Sequence, residues 1–188
     1  QGTPLVLQGD EVGNSQNGNN NGYCRDKGVD WDNGPEARRF EDFAAYVKSL
    51  RDEFAILRHH EYLHGEKFDG HGVPNIDWYA PDNRRQTHAD WSNPNARCFG
   101  LMLNGGAVVQ LDGPKDNRRL LAVFNAHSAP VDFTLPALKG GSGWTRIMDT
   151  AEPELRMDSD KKTYKPGEEW AAKGRSLTLF VQNPAPAP

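Results

Sequence analysis

The apolar and polar positions change rhythm along the chain, and each rhythm predicts a different element. Residues 3 to 8 carry an almost unbroken apolar run, Thr-Pro-Leu-Val-Leu-Gln, which predicts a strand covered on both faces. Further on, Phe40, Phe43, Ala44, Val47, Leu50, Phe54 and Leu57 recur at steps of three and four, so they fall along one stripe of a helix. Pro35 suits the first helical turn, Glu36 follows it, and Arg58, His59 and His60 suit the far end of the helix dipole. The helix is expected from about Pro35 to Leu63, with Gly65 as its stop.

After Gly65 the pattern turns to short β-type runs between clusters of Gly, Pro, Asn and Asp: Ile76 to Tyr79, Cys98 to Asn104, Leu120 to Asn125, Val131 to Leu135, Trp144 to Met148 and Ser176 to Val181. This spacing predicts an antiparallel β-sandwich. The polar, Pro-broken stretch Pro81 to Arg97 reads as a long surface loop, and Asp149 to Trp170 has no clear period. No internal repeat is visible. The fold class expected is therefore mainly β, an antiparallel sandwich over residues 65–183 preceded by one strand-helix unit over residues 1–64. The ending Asn183-Pro184-Ala185-Pro186-Ala187-Pro188 has little to bury, and residues 184–188 are expected to be a disordered tail.

Composition narrows the class. At 188 residues, 36% hydrophobic and 26% charged, the chain can bury one good core and a small appendage. Its net charge of −4 is spread in mixed signs with no basic stripe, which argues against nucleic acid and against an anionic membrane surface as partners. Cys24 and Cys98 are too few for a disulfide framework and suit a reducing compartment, so a cytoplasmic location is expected. No apolar run approaches the ~20 residues of a spanning helix. The opening at Gln1 lacks the basic end and apolar region of a signal peptide, and a start without Met reads as a cut piece.

The most specific segment is the first. Leu5-Val6-Leu7-Gln8-Gly9-Asp10-Glu11 runs into Asn14-Ser15-Gln16-Asn17-Gly18-Asn19-Asn20-Asn21-Gly22-Tyr23-Cys24. A strand that ends on two carboxylates and opens into a loop crowded with amides offers many directed donors and acceptors to a hydroxyl-rich ligand, a sugar above all. This run resembles the last barrel strand and following loop of the isoamylase-type glycogen debranching enzymes, members of the α-amylase superfamily of glycoside hydrolases. Asp26, Trp31 and the run Asp90-Trp91-Ser92-Asn93-Pro94-Asn95-Ala96-Arg97-Cys98-Phe99-Gly100, with Leu103 and Gly105, extend the resemblance. It implies that residues 1–64 are the last strand-helix unit of a truncated (β/α)8 barrel and that residues 65–183 are the C-terminal domain. A lone parallel strand with one helix cannot cover both of its faces, so barrel neighbours are missing.

Retaining glycoside hydrolysis uses two carboxyl groups about 5–5.5 Å apart. Asp10 and Glu11 are adjacent, and neighbours on an extended segment point to opposite sides, so they do not form that pair. The resemblance places all three catalytic acids before the segment present here, and no residue of this chain matches them. The chain alone is expected to be inactive. The candidate substrate contacts are Asp10, Glu11, Asn19, Asn20, Asn21 and Tyr23, because loops after barrel strands line the active face. The implied ligand is a branched α-glucan such as glycogen or limit dextrin, with no cofactor. A chain cut from its barrel is also expected to self-associate through residues 1–34.

Two metal-like patterns weaken on inspection. Asn17-x-Asn19-x-Asn21-Gly22 imitates the start of a calcium loop, but Gly28 stands where the closing glutamate belongs. His60-Glu61-Tyr62-Leu63-His64 matches the zinc-peptidase pattern, but Lys67 and Gly70 occupy the places of its longer form. Trp144 sits within an apolar alternation and reads as core, whereas Trp78 and Trp91 border the polar loop and are the better sugar-stacking candidates. A stand-alone glucan-binding sandwich is the alternative function.

Overall fold

The computed structural model describes residues 2–24, 28–31, 34–109, 115–152 and 162–185. By contacts the chain divides into two compact units, Gln1–Arg58 and His59–Pro188. Among the described residues all strands lie in the second unit and all pair antiparallel, a mainly β architecture.

In the first unit the apolar run at residues 3 to 8 forms no strand, and Leu5 is 97% exposed. This corrects the expectation from the sequence. Such a run becomes a strand only where a neighbouring strand pairs with its backbone, and among the described residues none does. The chain instead turns at Gly9, where φ is 99° and an added Cβ would lie 2.9 Å from Val29 Cγ1. A 3-10 turn over Asp10–Val12 follows.

The helix α1 spans Gly34–Glu53, so it stops well short of Leu63. A single 3-10 turn, Ala55–Arg58, takes its place. The Arg51 guanidinium donates to Leu57 O, and Arg58 donates to Arg51 O and Asp52 O, so two cations occupy carbonyls that another helical turn would have used. The apolar recurrence could not reveal this, since Phe54 is buried in either geometry; the tighter turn buries Ile56 beside it.

The second unit carries a six-stranded sheet and a two-stranded one. The strands are β1 (Ile76–Tyr79), β2 (Cys98–Asn104), β3 (Arg119–Asn125), β4 (Val131–Thr134), β5 (Gly141–Asp149), β6 (Thr163–Tyr164), β7 (Glu169–Ala172) and β8 (Ser176–Pro184). The large sheet runs in the order β1-β2-β3-β8-β5-β6, and β4 pairs with β7. Six of these strands match the apolar runs. β6 and β7 fall in the stretch without a clear period. β6 reaches the core through Tyr164 alone, and β7 through Ala172 with Trp170 packed at the core's edge. The polar stretch 81–97 also hides a helix, α2 (His88–Trp91), whose capping box joins Thr87 and Asp90.

The core lies between the two sheets, built from Met102, Leu121, Val123, Phe133, Leu135, Trp144, Tyr164 and Phe180. Trp144 is fully buried, as its sequence setting predicts, and its indole N–H donates to Pro136 O at 2.8 Å. The sheets approach closely at Gly100, where an added Cβ would lie 2.6 Å from Phe133 Cζ.

One end of the core is polar. Asn104, Arg119 and Gln182 stand in register across β2, β3 and β8, all buried. Arg119 donates to Asp69 Oδ2 at 2.6 Å and to Gln182 Oε1 at 3.0 Å, while Asn104 donates to Asp69 Oδ2 and Val73 O, both at 3.0 Å. Asn104, Arg119 and Gln182 thus each have partners, and the network ties the segment before β1 to three strands. β8 runs to Pro184, and Ala185 N–H donates to Gly140 O at 2.9 Å, so the sheet takes in the start of the expected tail. Residues 186–188 lie outside the described residues.

Candidate functional site

In the first unit the candidate loop is organised by its own side chains. Asp10 Oδ2 accepts from Leu7 N–H and Glu11 Oε2 from Gly9 N–H, each at 2.9 Å. Both carboxylates therefore hold the turn at Gly9. The extended geometry assumed from sequence is replaced by this turn. Downstream, Asn19 Oδ1 accepts from Asn21 N–H at 2.9 Å and Asn21 Oδ1 from Tyr23 N–H at 3.0 Å. These are side-chain-to-backbone turns of the kind Asn favours, and Asn17 supports them with a left-handed φ of 52°. Asn21 also donates to Cys24 Sγ at 3.2 Å.

Two candidates differ. Asn20 makes no side-chain hydrogen bond among the described residues, and the Tyr23 ring is fully exposed. The loop thus spends Asn19 and Asn21 on shape and leaves Asn20 and Tyr23 open to a ligand. Asp26 lies outside the described residues.

In the second unit the sequence candidates Trp78 and Trp91 come together. Their rings are 5.2 Å apart and edge-on, with Phe99 at 5.8 Å from Trp78 and 5.9 Å from Trp91. Phe124, opposite Phe99 in the β2–β3 register, stacks on it at 5.0 Å. Sequence reading missed the two phenylalanines. The signal was present in the alternation of residues 98 to 104 and 119 to 125, which sets Phe99 and Phe124 on the face opposite Val123 and Met102. Trp91 remains 53% exposed, carried by α2.

Residues 60 to 64 lie outside any helix, so His60 and His64 do not share a helical face as the zinc pattern needs. Glu61 instead pairs with Lys67 at 2.5 Å, and His64 Nδ1 accepts from Glu66 N–H. Among the described residues no group of three His, Cys, Asp or Glu side chains could hold a metal ion, and no helix is long and apolar enough to cross a membrane.

Comparison with known proteins adds to this geometry. A family model described as "Isoamylase, C-terminal" matches residues 75–181, the sandwich from just before β1 into β8. The chain is 34% identical over 165 residues to a "Glycogen operon protein GlgX homolog" of Mycobacterium bovis, covering 84% of this chain and 23% of that protein. It is 31% identical over 137 residues to a "Glycogen debranching enzyme" of Escherichia fergusonii, covering 72% and 18%. An "Isoamylase" of a Flavobacterium species is 26% identical over 189 residues, covering 96% and 24%. The chain thus spans about a fifth to a quarter of the length of these relatives.

Proposed function

Because this chain belongs to the isoamylase C-terminal family, we propose that it is the C-terminal portion of a glycogen debranching enzyme hydrolysing α-1,6-glucosidic branch linkages of glycogen or limit dextrin. The family match over residues 75–181 carries this reading. The reaction is a retaining, two-carboxylate hydrolysis, with carboxyl groups about 5–5.5 Å apart supplied by residues outside these 188. The isolated chain is inactive on this reading.

Residues 1–64 are the end of the catalytic barrel, residues 65–183 the C-terminal domain, and the last residues a tail. In the complete enzyme Asp10 and Glu11 shape the turn, Asn19 and Asn21 fix the loop, and Asn20 and Tyr23 meet the branched glucan. The local bonds of Asn19 and Asn21 and the open side chains of Asn20 and Tyr23 support that division. The exposed Leu5, Val6 and Leu7 support self-association of the isolated chain through residues 1–34. The two unpaired cysteines support a cytoplasmic location.

Asn20→Ala in the complete enzyme tests the loop. It should lower kcat/KM for branched glucan by about 1–2 kcal/mol, the usual loss for one directed hydrogen bond. Unchanged kinetics would reduce the loop to scaffold. The alternative, a stand-alone glucan-binding module, draws on the half-exposed Trp78, Trp91 and Phe99 group.

A further inference from the structure

A cavity of about 280 Å³ opens at the end of the sandwich where the 81–97 connection meets the start of β2 and the β3–β4 turn. Its polar lining includes Arg84, Gln86, Asp90, Arg97 and His127. Arg84 grips Asp90 through both of its terminal nitrogens, and this grip, with Thr87 beside it, holds the Asp90 carboxyl well below the usual carboxylate range. Arg84 also holds Asp82 through its Nε at 3.1 Å, so this guanidinium is already shared between two carboxylates. Burial pushes the Cys98 thiol in the same lining up to about 11, so it stays protonated and behaves as an apolar wall.

What remains unsatisfied points to a ligand. Gln86 Oε1 is buried and has no hydrogen-bond partner among the described residues, an acceptor whose desolvation is uncompensated. The Arg97 guanidinium makes no ion pair among them either, although its side chain is exposed. An orphaned amide acceptor beside an unpaired guanidinium suits a ligand with hydroxyls, which both donate and accept. The helix α2 joins this cavity to the aromatic group: Asp90 lines the cavity, and the next residue, Trp91, packs edge-on against Trp78. Pyranose rings offer both surfaces at once, hydroxyls at the rim and an apolar face for an aromatic ring.

We propose that this end of the sandwich is a binding site for an α-glucan chain, in which Gln86 and Arg97 hold sugar hydroxyls while the exposed face of Trp91 packs on a neighbouring ring. It rests on the debranching reading for the identity of the sugar. The site is built from residues of the second unit alone.

The test is a titration of the full 188-residue chain with maltoheptaose, read by calorimetry and by nuclear magnetic resonance. The Trp91 indole and Gln86 side-chain amide signals should shift on binding. Trp91→Ala and Arg97→Ala should each weaken binding about tenfold or more, whereas Lys48→Ala, on the exposed surface of α1, should leave the affinity unchanged. Arg97→Ala removes an exposed side chain, so its fold is not at stake. If Trp91→Ala fails to fold, the wild-type signals decide. No binding, binding that survives both substitutions, or displacement by inorganic phosphate with no response to maltoheptaose would overturn the site. Debranching of glycogen by the longer polypeptide in any of those cases would leave the proposed function standing, and its absence would remove that function independently.

Discussion

Asp69 shows how one residue can hold a domain end together. Burial alone would raise its carboxyl, but hydrogen bonds from Arg119, Val73 N–H, Asn104 and His71 N–H outweigh it and hold it at about 2 against an ordinary 3.8. A folded-state value below the unfolded one gives stability that is complete above about pH 4 and is lost as pH falls toward 2, about 2 kcal/mol in all. Thermal melts should therefore drop over that window. In Asp69→Asn the drop should flatten, while at pH 7 the variant should lose about 3–5 kcal/mol because Arg119 is left buried without its partner. An unchanged acid profile would show that the pair is not the titrating element. None of this network was legible in the sequence, since Arg119 and Gln182 stand 63 positions apart and only pairing in three dimensions marks them. The loop residues were only half legible. Composition singled out all the asparagines, but it took geometry to separate Asn20 from Asn19 and Asn21, whose side chains are committed locally.

Elements were read best where burial alternates or repeats over several residues. β1 and β2 coincide with their apolar runs, and β3 begins one residue early because Arg119 joins the register through its buried guanidinium. Two-residue β6 and four-residue β7 had no such repeat to show. α2 was hidden because four residues, His-Ala-Asp-Trp, are too few to carry a stripe; only the Thr87–Asp90 spacing announced it. The end of α1 was missed because periodicity does not record which carbonyls Arg51 and Arg58 occupy. Close approach of the sheets depends on one small residue. In Gly100→Ala the new Cβ would press on Phe133, which is fully buried, and on Leu121 Cδ1 at 3.2 Å. Urea unfolding should show a loss of about 1–3 kcal/mol, the range for overpacking a filled core. A neutral result would mean that the layers can part there without cost.

At the scale of the molecule, the two units differ in how fully their backbones are paired. Residues 3 to 8 belong to no ladder, whereas β3 is paired on both edges, by β2 and by β8. Hydrogen exchange in the isolated monomer should be fast at residues 3 to 8 and slowest in β3. Protection of the first segment equal to that of β3 in a proven monomer would contradict the view that its partners lie outside the chain. The mainly β architecture could be read ahead of the structure because one sandwich buries nearly all the regular apolar runs. The opening run was misread because apolarity alone does not make a strand: among the described residues no neighbouring strand pairs with it. The central claim is that these residues serve a glucan-debranching reaction whose acids lie elsewhere. Reducing-end release from glycogen should be measured for the purified 188-residue chain beside the longer polypeptide that contains it. The account predicts release by the longer polypeptide and none by the 188 residues alone; turnover by the isolated chain, or none by either, would contradict it.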